Sequence, residues 1–317
     1  MKAKHRETFL FWTEFLGGDK LVDAHTSLYG FIAKPARHSL SPLIHNTSFQ
    51  ALGINSVYLA FDVDQSQFKT AVQSLRALPI CGINVSMPYK QQIIAYLDEL
   101  TPVAKQLGAV NTVINHEGHL IGDSTDGEGF LHALQDEHVT VQNKQVAVLG
   151  AGGAGRAIIL ATVNAGAEVT VFKRQNSTFN ALQKRLTSWS DKIRVLPYED
   201  EAQMAAVLTQ ADVVVNTTNL GMAGDKHSPV SPRVMQGLHA GQLVADAIYA
   251  PLETPFLAQA KQQGCHTMNG LGMLVQQAAG SFYRWTNQQM PIAKVKDTIK
   301  QQLEHTKKWG WYLWLLY

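Results

Sequence analysis

The sequence predicts an α/β fold in two domains, and three observations carry that prediction. Short apolar runs alternate with helical segments from residue 28 to residue 285, the pattern of strands and helices packed in layers. The apolar run Gln145-Val-Ala-Val-Leu149 enters a glycine turn, Gly150-Ala-Gly-Gly-Ala-Gly155, and then an Ala/Ile/Leu-rich stretch as far as Ala165. Between the two halves, Asp123-Ser-Thr-Asp-Gly-Glu-Gly129 breaks the periodicity, and the domain crossing is placed there.

Strand, glycine turn and helix in that order open a Rossmann βαβ unit. Gly150 can take the tight turn out of the strand, Gly152 lets the backbone approach a pyrophosphate, and Gly155 lets the helix pack closely on the sheet. The helix start offers unpaired N–H groups and a positive dipole end to the same pyrophosphate. Ile158, Ile159 and the apolar run to Val163 suit a buried helix, Gly166 stops it, and residues 169–172 form the next strand. A dinucleotide is therefore the expected cofactor class.

Of the 317 residues, 45% are apolar and 16% charged, the balance of a globular chain able to bury two cores. A net charge of +2, with bases spread among acids, gives no reason to expect nucleic acid or an anionic membrane as partner. Cys81 and Cys265 lie far apart and form no CxxC, so neither a disulfide framework nor a zinc site is expected, and a cytoplasmic, reducing location fits. Residues 1–26 read as an extension: the run Phe9-Leu-Phe-Trp12 is short for a signal sequence and is bracketed by Glu7 and Glu14. Trp309-Gly-Trp-Tyr-Leu-Trp-Leu-Leu-Tyr317 falls short of the roughly 20 residues that span a bilayer. It reads as a tail that docks on the body or on a partner chain, with contact to a membrane surface as the alternative.

Taken in order, residues 28–32 form a strand, followed by a polar turn at 34–42. Pro42 opens a helix with Ser41 as its N-cap. Residues 56–63 form a second strand, 65–78 a helix, and 82–85 a third strand. Pro88 is expected to open another helix running to about residue 97, with a further one at 101–107. Residues 110–115 and 119–121 flank Glu117-Gly118, a hairpin signal. Residues 130–135 are helical before the glycine-turn strand. Beyond the second Rossmann strand come a helix at 177–189, a strand at 193–196, a helix at 199–209 and a strand at 211–216 carrying a polar loop. A strand at 241–246, a helix at 256–264 and a short strand at 267–268 close the sheet, and the last long helix, 272–285, returns to the first domain.

A Rossmann domain accounts for the cofactor but leaves open what is oxidised. Taking a hydride from an alcohol also requires removing the hydroxyl proton, so an acid–base group must stand within hydrogen-bond reach of that oxygen. The cysteine count and the lack of a clustered histidine set argue against zinc. None of the nine tyrosines has a lysine four residues later, so a Tyr-x-x-x-Lys pair is absent as well. What remains are polar side chains at first-domain strand ends: Ser39, Ser41, Lys90, Asn111 and Asp126.

These residues stand in separated motifs whose order resembles the shikimate dehydrogenase family, including its quinate/shikimate branch. The motifs are His38-Ser-Leu-Ser-Pro-Leu-Ile-His-Asn46, Gly82-Ile-Asn-Val-Ser-Met-Pro-Tyr-Lys90, Gly108-Ala-Val-Asn-Thr112, Ser124-Thr-Asp-Gly127, the glycine turn, Asn216-Thr-Thr-Asn-Leu-Gly-Met222, Asp246-Ala-Ile-Tyr-Ala-Pro251 and Gly272-Met-Leu-Val-Gln-Gln-Ala-Ala279. The resemblance implies reversible NADP-dependent reduction of 3-dehydroshikimate to shikimate in aromatic amino-acid biosynthesis. A quinate/shikimate enzyme using NAD or NADP is the nearest rival. A non-catalytic sensor of these ligands is the remote one, against which the intact Lys90 and Asp126 argue.

By the same resemblance, residues 27–125, completed by 270–305, form the substrate and catalytic domain, 126–269 the Rossmann domain, and 306–317 the hydrophobic tail, in a monomer or homodimer. Lys90 and Asp126 look like the catalytic pair, and which of them accepts the proton is left open. Ser39 and Ser41 look like a carboxylate clamp, for which hydroxyl donors are suited. Ser86, Asn111, Tyr249 and Gln277 look like further polar walls, while His38 and His45 are structural. The family pattern has Thr at the place of Ser86 and Asn at that of Ser124, departures that bear on ligand preference more than on catalysis. Cofactor contacts are implied at Gly150, Ala151, Gly152, Gly153, Ala154, Thr217, Asn219, Ala247 and Gly270. Lys173 and Arg174 follow the second Rossmann strand where an NAD-selective enzyme carries an acid, so they are expected to hold a 2′-phosphate and favour NADP, with NAD tolerated.

Overall fold

The computed structural model describes residues 22–308. The extension up to residue 21 and the tail from residue 309 lie outside the described residues. Alternation of side chains builds the second sheet: Val146 and Val148 pack against Ile158 and Val163 on one face, Ala147 and Leu149 against Met204 and Phe256 on the other. A strand apolar on both faces belongs in the middle of a parallel sheet with helices on each side. Each fully buried Val, Leu, Ile, Met or Phe side chain among them contributes about 1.5–3 kcal/mol.

The first sheet holds β1 (Ser27–Ala33), β2 (Ser56–Asp62), β3 (Ile80–Val85), β4 (Glu99–Leu100), β5 (Thr112–His116) and β6 (His119–Asp123), in the order β2-β1-β3-β5-β6-β4. β1 runs parallel to β2 and β3, whereas β3, β5 and β6 are antiparallel neighbours, β5 and β6 forming the expected hairpin. Its helices are α1 (Ser41–Ala51), α2 (Phe68–Ser74) and α3 (Pro102–Leu107), and α4 (Asp126–Asp136) leads out of it. Among these, α3 starts as its sequence demands, with Pro102 in the first turn and Thr101 accepting from the Ala104 N–H.

The second sheet holds β7 (Gln145–Leu149), β8 (Glu168–Lys173), β9 (Ile193–Pro197), β10 (Val213–Asn216), β11 (Leu243–Asp246) and β12 (His266–Met268). Its order is β12-β11-β10-β7-β8-β9 and its pairings are parallel. Strand order reverses at β7, so β7 and β10 flank the crevice in which such sheets bind ligands. Helices α5 (Gly153–Asn164), α6 (Phe179–Thr187), α7 (Glu201–Gln210), α8 (Pro232–Met235) and α9 (Pro255–Gln262) connect the strands. The long α10 (Leu271–Thr286) then packs along α4 and α1. Its Trp285 donates to the Val113 carbonyl in the first sheet at 3.0 Å, which is the expected return. α11 (Ile292–Lys308) follows. Among the described residues no helix is long and apolar enough to cross a membrane.

Four expectations change. Ser41 is the first residue of α1 and not its cap; Leu40 occupies the cap position and no side chain caps the helix, because the Ser41 N–H itself turns back to the Ser39 hydroxyl at 3.1 Å. Pro88 opens no α-helix: residues 87–91 form turns, and only the 3-10 helix Gln92–Tyr96 follows. The helix expected at 65–78 contracts to α2, since Leu75, Arg76 and Ala77 close tight i→i+3 turns. The break at 123–129 is partly helical, α4 starting at Asp126 itself. β4, α8 and α11 are additions.

Candidate active site

Backbone pairing brings the first-domain motifs to one place. The Ser86 N–H donates to the Ile32 carbonyl at 3.0 Å and the Lys34 N–H to the Met87 carbonyl at 3.1 Å, so the turns after β1 and β3 lie side by side. The Val85 N–H donates to the Asn111 carbonyl and the Val110 N–H to the Lys90 carbonyl, each at 2.8 Å. Asn111 in turn donates its N–H to the Asp123 carbonyl at 3.1 Å, which leaves Asp126 one helical start away.

At this point Lys90 Nζ donates to Asp126 Oδ2 at 2.6 Å, with side chains 20% and 9% exposed. Asn111 Nδ2 donates to Asp126 Oδ1 at 2.8 Å, to Thr125 Oγ1 at 2.9 Å and to Gln277 Oε1 at 3.1 Å. Both carboxylate oxygens of Asp126 thus accept a fixed donor, and a helix from the far end of the chain supplies Gln277. The Thr125 N–H donates to Asn111 Oδ1 at 2.9 Å, which sets the amide orientation. Ser39 donates to Ser41 across 3.1 Å, both hydroxyls lying in the turn after β1. Ser86 is half-buried at the end of β3, and Tyr249 is half-buried on the loop after β11, where burial raises its phenol pKa. No hydrogen bond among the described residues ties the Ser86 or Tyr249 side chain to the Lys90 pair.

Further buried polar residues join this network. Asn84, 5% exposed between Ile83 and Val85, accepts from the Tyr58 hydroxyl at 2.8 Å and donates to the Asn111 carbonyl at 3.0 Å and to Ser281 at 2.9 Å. A lone amide in an apolar strand is the available signal, because a buried polar group needs partners. Ser281 stands four residues beyond Gln277 on the same helix face and shares a 2.7 Å hydrogen bond with Thr112. His45 stacks on Tyr58 with ring centroids 4.4 Å apart. Burial lowers its pKa to about 3, opposed only weakly by nearby Asn84.

The second sheet assembles the other group of expected residues at the carboxyl ends of β7 and β10. Gly150 leaves β7 at φ +97°, a left-handed conformation that a side chain would strain, and its N–H donates to the Phe172 carbonyl at 2.9 Å. Beyond the neighbouring backbone, nothing lies within 4 Å of where a Cβ on Gly152 or Gly153 would stand, and no side chain caps α5. Ala151 and Ala154 are half-buried beside them. Thr217 anchors the opposite wall through its N–H and hydroxyl to the Leu149 carbonyl, at 2.9 and 3.0 Å. Asn219 is exposed beyond it, Ala247 donates to the Asn216 carbonyl at 2.9 Å, and Gly270 to the Ile248 carbonyl at 2.9 Å. At the end of β8, Lys173 reaches Asn176 Oδ1 at 2.9 Å and Arg174 is exposed. One acid that the sequence did not place here arrives from the next loop: Glu199 accepts the Gln175 N–H on both oxygens at 3.1 Å.

Residues 31–113 match the shikimate dehydrogenase substrate binding domain, residues 129–246 the alanine dehydrogenase/PNT C-terminal domain, and residues 270–300 the shikimate 5′-dehydrogenase C-terminal domain. The chain is similar to the shikimate dehydrogenase (NADP(+)) of Latilactobacillus sakei, with 44% identity over 85% of this chain and 94% of the relative. Shikimate 5-dehydrogenase from Listeria monocytogenes, solved with shikimate and NAD, superposes with a TM-score of 0.84 at 36% identity, covering 89% of this chain and 99% of that one. Quinate dehydrogenase from Corynebacterium glutamicum, solved with NAD, superposes at 0.79 with 28% identity, covering 87% and 99%.

Proposed function

The chain belongs to the shikimate dehydrogenase family, and from that premise we propose that Lys90 and Asp126 move the proton in its reaction. The reaction is the reversible, NADP-dependent reduction of 3-dehydroshikimate to shikimate. The observation that carries the assignment is the 2.6 Å pair itself, held to the Asn111 amide by the second Asp126 oxygen.

An ammonium has only protons to give and a carboxylate only lone pairs. In the reductive direction Lys90 Nζ donates to the carbonyl oxygen as it becomes a hydroxyl, while Asp126 holds the ammonium in line and stabilises its charge. In the oxidative direction the neutral amine left by that donation takes the hydroxyl proton and returns to the ammonium, whose charge Asp126 stabilises. Both Asp126 oxygens already accept hydrogen bonds, so the carboxylate is fixed in place rather than free to turn toward solvent. The Ser39 and Ser41 hydroxyls bind the substrate carboxylate, and Ser86, Asn111, Tyr249 and Gln277 line its ring.

The residues present fit a dinucleotide: open space above Gly152 and Gly153, an uncapped start of α5, and two cations at the end of β8. When bound, NADP supplies or accepts the hydride. Gly150 to Ala154 would hold its pyrophosphate, Thr217, Asn219, Ala247 and Gly270 its nicotinamide half, and Lys173 and Arg174 its 2′-phosphate. The test is to offer purified protein shikimate or quinate, each with NADP or NAD, and to follow absorbance of the reduced cofactor. The highest kcat/KM is expected for shikimate with NADP. Turnover of quinate alone would overturn the substrate assignment.

A further inference from the structure

Helix α10 does more than contribute Gln277 to the site wall. Gln277, Ser281 and Arg284 follow at four- and three-residue steps and so share one face of the helix. Each reaches the segment that carries Asp126 or its supports. Gln277 bonds Asn111, Ser281 bonds Asn84 and Thr112, and Arg284 meets two carboxylates that bracket Asp126 in sequence. Arg284 Nε donates to Asp123 Oδ2, while its two terminal nitrogens grip Glu128 at 2.7 and 3.0 Å.

We propose that Arg284 is a positioning residue for the reaction, holding the first turn of α4 through Asp123 and Glu128 so that the Asp126 carboxylate meets Lys90. The proposal rests on the catalytic reading of that pair.

Three features make the clamp stiff. A guanidinium gripping a carboxylate through two parallel N–H bonds fixes direction as well as distance. Asp123, with a side chain 5% exposed, is further held by the Thr101 hydroxyl at 2.5 Å and the Ser124 N–H at 2.7 Å, so it is a rigid anchor at the end of β6. Helices α4 and α10 also approach too closely to slide: a Cβ on Gly129 would stand 2.6 Å from the Gln277 nitrogen. The clamp therefore bridges the point where the chain leaves the first sheet, with Asp126 between its two jaws.

The experiment compares full-length Arg284→Gln, Arg284→Lys, Glu128→Gln and Asp126→Asn in steady-state kinetics, with thermal unfolding alongside. Arg284→Gln is expected to lower kcat about tenfold or more, the scale of a small misplacement of a reacting group, with KM for NADP nearly unchanged. Arg284→Lys keeps the charge without the fork and should recover part of that loss. Glu128→Gln spares the buried Asp123 contact, so it still decides the matter if Arg284→Gln does not fold; it should lower kcat in the same sense. If Asp126→Asn lost turnover while Arg284→Gln and Glu128→Gln kept wild-type kcat and lost only thermal stability, the clamp would be a structural staple and the proposal wrong. Retained turnover in Asp126→Asn would instead remove the catalytic reading and the clamp with it.

Discussion

Asp126 accepts from Lys90 Nζ at 2.6 Å, although the two are separated by 36 positions and lie on different elements. Neither residue is at the surface in the ordinary sense, with side chains 9% and 20% exposed, and the carboxylate has a second fixed donor in Asn111. Lys90→Ala should therefore lower kcat far more than it weakens substrate binding. Loss of a positioned acid or base is typically worth about 10²- to 10⁴-fold. Asp126→Asn should behave alike. Near wild-type kcat in both folded variants would remove the pair from the mechanism.

Ser39 and Ser41 separate binding from chemistry. A carboxylate held equally in ground and transition states contributes uniform binding, so Ser39→Ala and Ser41→Ala should raise KM for shikimate and leave kcat close to wild type. The structure sharpens the Ser41 case. A lost N-cap would cost about 0.5–2 kcal/mol, but Leu40 holds the cap position of α1 without a side-chain bond. Ser41→Ala should thus leave the melting temperature nearly unchanged; a fall in kcat at constant KM would place these hydroxyls at the reacting carbon instead.

His45 predicts a pH dependence of stability. It is fully buried, stacked on Tyr58, and neither ring nitrogen has a hydrogen-bond partner among the described residues. Burial moves its pKa from 6.5 to about 3. Between those values the unfolded chain binds a proton that the folded chain refuses, so stability is full above pH 6.5 and is lost as pH falls, by about 1.4 kcal/mol per unit. Urea unfolding of wild type and His45→Phe from pH 7 to pH 5 checks this. The variant should lose that part of the slope and match or exceed wild type at pH 5, since Phe leaves no buried nitrogen unpaired. Parallel slopes for the two proteins would show that His45 titrates normally.

How much of this was legible in the sequence differs by element. The strand Gln145–Leu149, its glycine turn and the parallel order that follows could be read because a buried strand, a tight turn and a helix each leave a local signal. The residues Lys90, Asn111 and Asp126 can be named from motifs, and the family resemblance pairs Lys90 with Asp126, but the hydrogen bonds that hold them cannot be read locally, since they depend on the pairing of β3 with β5 and on where α4 starts. Ser before Pro is a cap signal in isolation, yet Ser41 caps nothing, because the Ser39 hydroxyl accepts the N–H that fixes the turn. Asn84 carries the signal of a lone amide in an apolar strand, but its partners, and the roles of Ser281 and Arg284, leave no local trace. Their partners lie as many as 197 residues away, and no local pattern encodes a contact of that range.

Lys173 ends β8 and Arg174 follows it, where an acid would otherwise select NAD. Two charge-assisted contacts to a 2′-phosphate are each worth about 1.5–3 kcal/mol before solvent screening. Lys173→Ala with Arg174→Ala should then raise KM for NADP about ten- to a hundredfold and leave KM for NAD nearly unchanged. The fold adds an opposing charge: Glu199 grips the Gln175 N–H in the same turn. Its carboxylate repels a phosphate, yet its hydrogen bonds also shape the loop that presents Arg174. Glu199→Gln keeps an acceptor for Gln175 while removing the charge, so it should lower KM for NADP severalfold and leave NAD alone. Steady-state titration of both cofactors against all three proteins distinguishes the outcomes. Equal shifts for NADP and NAD in the lysine–arginine variant would mean that these cations bind no 2′-phosphate and are solvated turn residues.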